Sequence, residues 1–85
     1  MLKSIEIRPH ARRQMKERQV SEGLLKEVLL RPGQVVNSYG GRKVAQSIVE
    51  YHGQRFLIRV IYEETERELK AITVYLTTKI ESYWR

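Results

Sequence analysis

The chain changes its hydrophobic period once, and that change constrains the fold more than any single motif. Before residue 32 the firmest pattern is helical: Leu24, Leu25, Val28 and Leu29 form one amphipathic stripe. From Gln34 onward the period is two. "QVVNSY", "KVAQSIVEY", "QRFLIRVIY" and "LKAITVYLT" each read as a strand. Gly40-Gly41 and His52-Gly53 stand where the chain must reverse, and the charged "EETERE" joins the last two strands. Helices followed by strands on short loops indicate the α+β class, with an antiparallel sheet covered on one face by helices.

The boundaries follow from local chemistry. "LKSIEIR" alternates as a short N-terminal strand with Leu2, Ile5 and Ile7 as its apolar members. Pro9 fits the first turn of a helix, where its missing N–H is not needed, and that helix should run to about Gln19. Ser21 is a sound N-cap for a second helix, with Glu22 favourable in its first turn and Pro32-Gly33 ending it. The expectation is a single domain over residues 1–85: a short strand, two helices, then a four-stranded antiparallel sheet.

A chain of 85 residues supports one modest core. At 41% hydrophobic and 31% charged it is too apolar for disorder. The absence of cysteine excludes disulfides and thiolate metal sites, and two histidines among scattered carboxylates give no metal pattern, so no metal or cofactor is expected. No apolar run is long enough to span a bilayer and the N-terminus lacks a signal-peptide core; the expectation is a cytosolic protein without a membrane partner.

Net charge is +6 and uneven. Residues 1–31 carry eight Lys/Arg against four acids, residues 32–62 four against one, and residues 63–85 four against five. A small cationic domain suits a polyanion such as nucleic acid, or an acidic partner protein.

Alternation assigns faces. Phe56, Ile58, Val60 and Tyr62 take one side of their strand; Leu57, Arg59 and Ile61 take the other. In the last strand Ile72, Val74 and Leu76 oppose Ala71, Thr73 and Tyr75. The simplest pairing puts the first set of each strand under the helices and leaves Arg59, Thr73 and Tyr75 on an open face.

The first helix, "HARRQMKERQVS", has polar residues where an apolar stripe belongs. At 100° per residue Ala11, Met15 and Arg18 point one way, with His10 and Gln14 on the border of that face, while Arg12, Arg13 and Lys16 point outward. His10 and Arg18 therefore face the domain or the rim of a cleft.

The stretches "HARRQMKERQVS", "VLLRPGQV", "GRKVAQ", "FLIRVIY", "AITVY" and "KIESYW" resemble a family of small prokaryotic domains with an H-A-x-x-[RQ]-M-x-x-R-x-[IV] opening. That family is similar to compact ribonuclease toxins of the RelE and BrnT type. The resemblance implies a RelE-like fold, a toxin of a toxin–antitoxin pair that cuts RNA, and a small antitoxin-like protein partner. Gln14 stands where an arginine is common, and Gln19 where glycine is usual.

Metal-free RNA cleavage needs a base for the 2′-OH, cations on the phosphate and an acid for the departing 5′-oxygen. Histidine suits proton transfer, the arginine fork suits phosphate, and tyrosine donates a hydrogen bond or stacks a base. On this reading His10 transfers a proton, Arg18 and Arg59 hold phosphate, and Tyr75 touches substrate. Arg12, Arg13, Lys16, Arg42, Lys43 and Thr73 are candidate RNA contacts, the Gly40-Gly41 turn adding backbone N–H groups. His52 reads as a turn residue, and Lys79, Tyr83 and Trp84 as packing or a partner-docking surface. The alternative is a non-catalytic basic module binding RNA or a small protein. An exposed sheet edge also permits a homo-oligomer. The nuclease reading requires His10, Arg18, Arg59 and Tyr75 to surround one cleft.

Overall fold

The computed structural model describes residues 3–85; Leu2, expected in the first strand, lies outside them. In chain order the elements are β1 (Ser4–Ile7), α1 (Pro9–Arg18), α2 (Glu22–Leu30), β2 (Gln34–Asn37), a 3-10 turn (Tyr39–Gly41), β3 (Lys43–Tyr51), β4 (Gln54–Glu64), β5 (Glu68–Thr77) and α3 (Ile80–Tyr83). No helix among the described residues is long and apolar enough to cross a membrane.

The class is α+β, but the sheet is five-stranded and mixed rather than four-stranded and antiparallel. Its order is β1-β5-β4-β3-β2. The strand β1 pairs parallel to β5, with Ile5 opposite Leu69 and Ile7 opposite Ala71, while every other pairing is antiparallel. The physical reason is burial: Ile5 and Ile7 pack against the core only from the free edge of β5, next to Leu69 and Ala71.

The helices end as their sequences dictate. At the end of α1, Gln19 takes the left-handed conformation at φ 57°, and its N–H and that of Val20 return to carbonyls of the last turn. The Oγ of Ser21 caps α2 by accepting from the Leu24 N–H at 3.0 Å. Ala11 and Met15 from α1 and Leu25, Val28 and Leu29 from α2 cover one face of the sheet, against Ala45, Ile58, Val60, Tyr62, Leu69, Ala71 and Val74. Each large apolar side chain fully buried there contributes about 1.5–3 kcal/mol.

Within β5 the expected faces hold for Val74 and Leu76 but not for Ala71 and Ile72. A bulge shifts the register: Ile61 faces Thr73, but Tyr62 faces Ala71. Ile72 is the extra residue, so Ala71 joins Leu69 under the helices while Thr73 and Tyr75 stay on the opposite face.

Gln14 has a structural task. Beyond Ile7 the chain leaves the edge of β5 for α1, and the Val74 N–H there is bonded instead by Gln14 Oε1 at 2.7 Å. A polar residue interrupts the apolar stripe because it completes the sheet.

Candidate functional site

On the face away from the helices, a polar row crosses four strands in register: Gln34 on β2, Gln46 on β3, Arg59 on β4 and Tyr75 on β5. Gln46 is the one fully buried polar side chain among the described residues. Its Nε2 donates to Gln34 Oε1 at 2.9 Å and to the Tyr83 carbonyl at 3.1 Å. Its Oε1 accepts from Arg59 Nε at 2.9 Å, which fixes the plane of the guanidinium. Arg59 Nη1 donates to the Tyr75 hydroxyl. Tyr83 lies against the same guanidinium, its ring centroid 4.2 Å from Cζ.

This face is not open throughout. The segment after β5 folds back over part of it. Gln34 donates to the Arg85 carbonyl at 2.8 Å and accepts from the Arg85 N–H at 3.0 Å, as a neighbouring strand would. Trp84 packs so closely on Gly33 that a Cβ there would stand 2.9 Å from its ring. Lys79, Tyr83 and Trp84 thus lie on this same face.

Arg59 is half-buried and held only by neutral groups; among the described residues no carboxylate pairs with it. Its charge is therefore uncompensated, in a site where Gln46 and Tyr83 keep part of the water away. Beside it lies a hollow of about 440 Å³ lined by Asn37, Ser38, Tyr39, Val44, Arg59 and Ile61. Toward the other end of the same face, Arg55 and Lys79 line a second hollow with Glu81 and Trp84, and among the described residues neither cation forms an ion pair with a carboxylate. Glu50, directly opposite Arg55, and Glu81 offset part of this charge at that end, so the uncompensated positive charge of the face centres on Arg59.

The remaining candidates do not gather there. His10 is exposed at the start of α1, on the helix side of the sheet. Arg18 lines a third hollow of about 390 Å³, with Gln19, Tyr51, His52, Gln54, Phe56 and Leu76. Phe56 and Leu76 alternate with the open-face residues of their strands, so this hollow also belongs to the helix side. His10, Arg18, Arg59 and Tyr75 therefore do not surround one cleft. Arg12 pairs with Glu22 at 3.1 Å and Arg18 with Glu17 at 3.5 Å, while Arg13 and Lys16 are exposed on α1. Across the β3–β4 pair, Arg42 meets Glu63 at 3.6 Å and Lys43 meets Glu64 at 3.3 Å, so both cations beside the Gly40-Gly41 turn already have carboxylates. Thr73 is on the Arg59 face, opposite Ile61.

Sequence reading missed Gln34, Gln46 and Tyr39. The two glutamines carried a signal. A two-residue reversal at His52-Gly53 pairs Tyr51 with Gln54, and counting back along both strands sets Gln46 opposite Arg59. Among the described residues no group of three His, Asp or Glu side chains is placed to hold a metal ion. The chain matches no curated protein and no solved structure. A family model described as a domain of unknown function, DUF4258, matches residues 7–76, and the chain belongs to that family.

Proposed function

We propose that this domain binds RNA, with a backbone phosphate on Arg59 as its anchoring contact. The observation that carries this reading is the guanidinium itself: oriented by Gln46 and Tyr75, stacked on Tyr83, and free of any carboxylate among the described residues. An oriented planar cation beside a hollow matches a phosphodiester. Arg55 and Lys79 extend the path along the same face, and the net charge of +6 favours the encounter.

The test is RNA binding as a function of salt. Affinity should fall as salt rises, and Arg59→Gln should weaken binding about tenfold or more and lower the salt slope by about one phosphate contact. Binding that ignores both salt and this substitution would remove the reading.

The contact between Arg59 and Tyr75 favours a second reading, in which the bound RNA is also cut. His10 and Arg18, on the other side of the sheet, then take no part; water takes up the 2′-OH proton, Tyr75 beside Arg59 protonates the departing 5′-oxygen, and the domain acts as a ribonuclease toxin with a small antitoxin-like partner. Incubation with RNA in EDTA tests this directly. Cyclic-phosphate ends that disappear in Tyr75→Phe support cleavage; intact RNA leaves binding as the function.

A further inference from the structure

We infer that the Arg59 hollow selects single-stranded RNA, by stacking an unpaired base on Tyr39 next to the phosphate held by Arg59. The inference rests on the RNA-binding reading and adds the class of RNA.

Tyr39 is 94% exposed, whereas the next most exposed large apolar side chains among the described residues, Leu30 and Val35, are near half. A phenol ring left so free contributes nothing to the core. The backbone that carries it is held by a closed 3-10 turn: the Ser38 N–H bonds the Arg42 carbonyl at 2.8 Å, and the Arg42 N–H bonds the Tyr39 carbonyl at 3.2 Å. Gly40 and Gly41 complete the turn at φ 66° and 77°, and a Cβ on either would meet open space, so the surroundings of the turn are uncluttered. This aromatic shares one hollow with Arg59, Asn37 and Ser38.

These elements have distinct uses. The guanidinium holds a phosphate, the ring offers a stacking surface, and the Asn37 amide and Ser38 hydroxyl are hydrogen-bonding groups within the same hollow. A base inside a duplex is already stacked on its neighbours and paired at its edge, so it cannot lie on Tyr39 without being pulled out. A duplex can still meet Arg59, Arg55 and Lys79 through its phosphates. The ring therefore adds affinity for single strands only.

The experiment compares an unstructured oligoribonucleotide of about 12 nucleotides with the same sequence as a duplex, by fluorescence anisotropy at fixed salt. The intact protein should prefer the single strand by at least about fivefold, the lower end for one stacked base. Tyr39→Ala should abolish that preference while leaving duplex affinity unchanged, and Tyr39→Phe should retain it. Equal binding of the two RNAs by the intact protein, or a preference that survives Tyr39→Ala, overturns the inference and leaves the Arg59 reading standing. Binding of neither RNA overturns both. The substituted ring is almost wholly exposed, so circular dichroism should show each variant folded as the parent.

Discussion

Gln46, wholly shielded from solvent, accepts a hydrogen bond from the Nε of Arg59 at 2.9 Å on the neighbouring strand. The same amide donates to Gln34 and to the Tyr83 carbonyl, so one buried side chain joins the candidate phosphate ligand to the segment that covers it. Gln46→Leu fills the space but leaves the Arg59 Nε and the Tyr83 carbonyl without that partner. Each orphaned group costs about 1–3 kcal/mol, so the variant should lose about 2–6 kcal/mol in urea unfolding. Its RNA affinity should fall with it, because the guanidinium loses its fixed plane.

Gln14 closes the edge of β5 by accepting from the Val74 N–H at 2.7 Å. Gln14→Leu adds apolar surface to α1 yet should destabilise by about 1–3 kcal/mol, since that backbone donor is stranded beside a buried residue. Gln14→Glu, which keeps the acceptor, should be milder at neutral pH. Thermal unfolding of the two variants checks the difference.

Gly33 supports Trp84, the only tryptophan in the chain. In Gly33→Ala the new methyl would also stand 3.2 Å from the Gln46 carbonyl, so the indole has to move. Tryptophan fluorescence should shift to the red, with a stability loss of about 1–3 kcal/mol. An unchanged emission maximum would mean that Trp84 does not rest on this glycine in solution.

Glu64 accepts from Lys3 Nζ at 2.6 Å and from Lys43 Nζ at 3.3 Å, and these two bonds hold its carboxyl below the usual 4.5. Glu22 is likewise lowered, first by Lys26 and then by Arg12. A carboxyl with a depressed folded-state value stabilises the fold above its unfolded value, and that stabilisation is lost as pH falls below about 4.5 through the folded one. The Glu64 side chain is 36% exposed, so the effect is small and salt-sensitive. The melting temperature should decline on acidification in that range, and Glu64→Gln should flatten part of the decline.

The element order up to β5 was legible because helical and strand periods do not overlap in this chain and its turns carry distinct residues; the short α3, one turn without a stripe of its own, was not. The cross-strand neighbour of Arg59 on β3 was legible too, through the hairpin count. The bulge was not. Both Ala71 and Ile72 are apolar, so alternation alone cannot say which of them is the extra residue, and the answer depends on β1 packing beside Leu69 and Ala71. The parallel placement of β1 was hidden for the same reason, since four residues carry no mark of direction.

The expected meeting of His10 and Arg18 with Arg59 fails on a point that the alternation already contained. A strand that turns Ile58 and Val60 toward the helices must turn Arg59 away from them. Tyr39 left a different kind of gap. A tyrosine at a turn looks the same in sequence whether its ring is packed or free.

The pairing of β1 with β5 joins residues far apart in sequence, Ser4 to Glu68 and Ile7 to Ala71. During synthesis the first strand emerges early but has no partner until the last strand follows it. Ile5 and Ile7 stay without their sheet neighbours through that interval, and closing so long a loop is slow. Folding of this small domain should therefore be cooperative, with β1 docking only once β5 is available to receive Ile5 and Ile7.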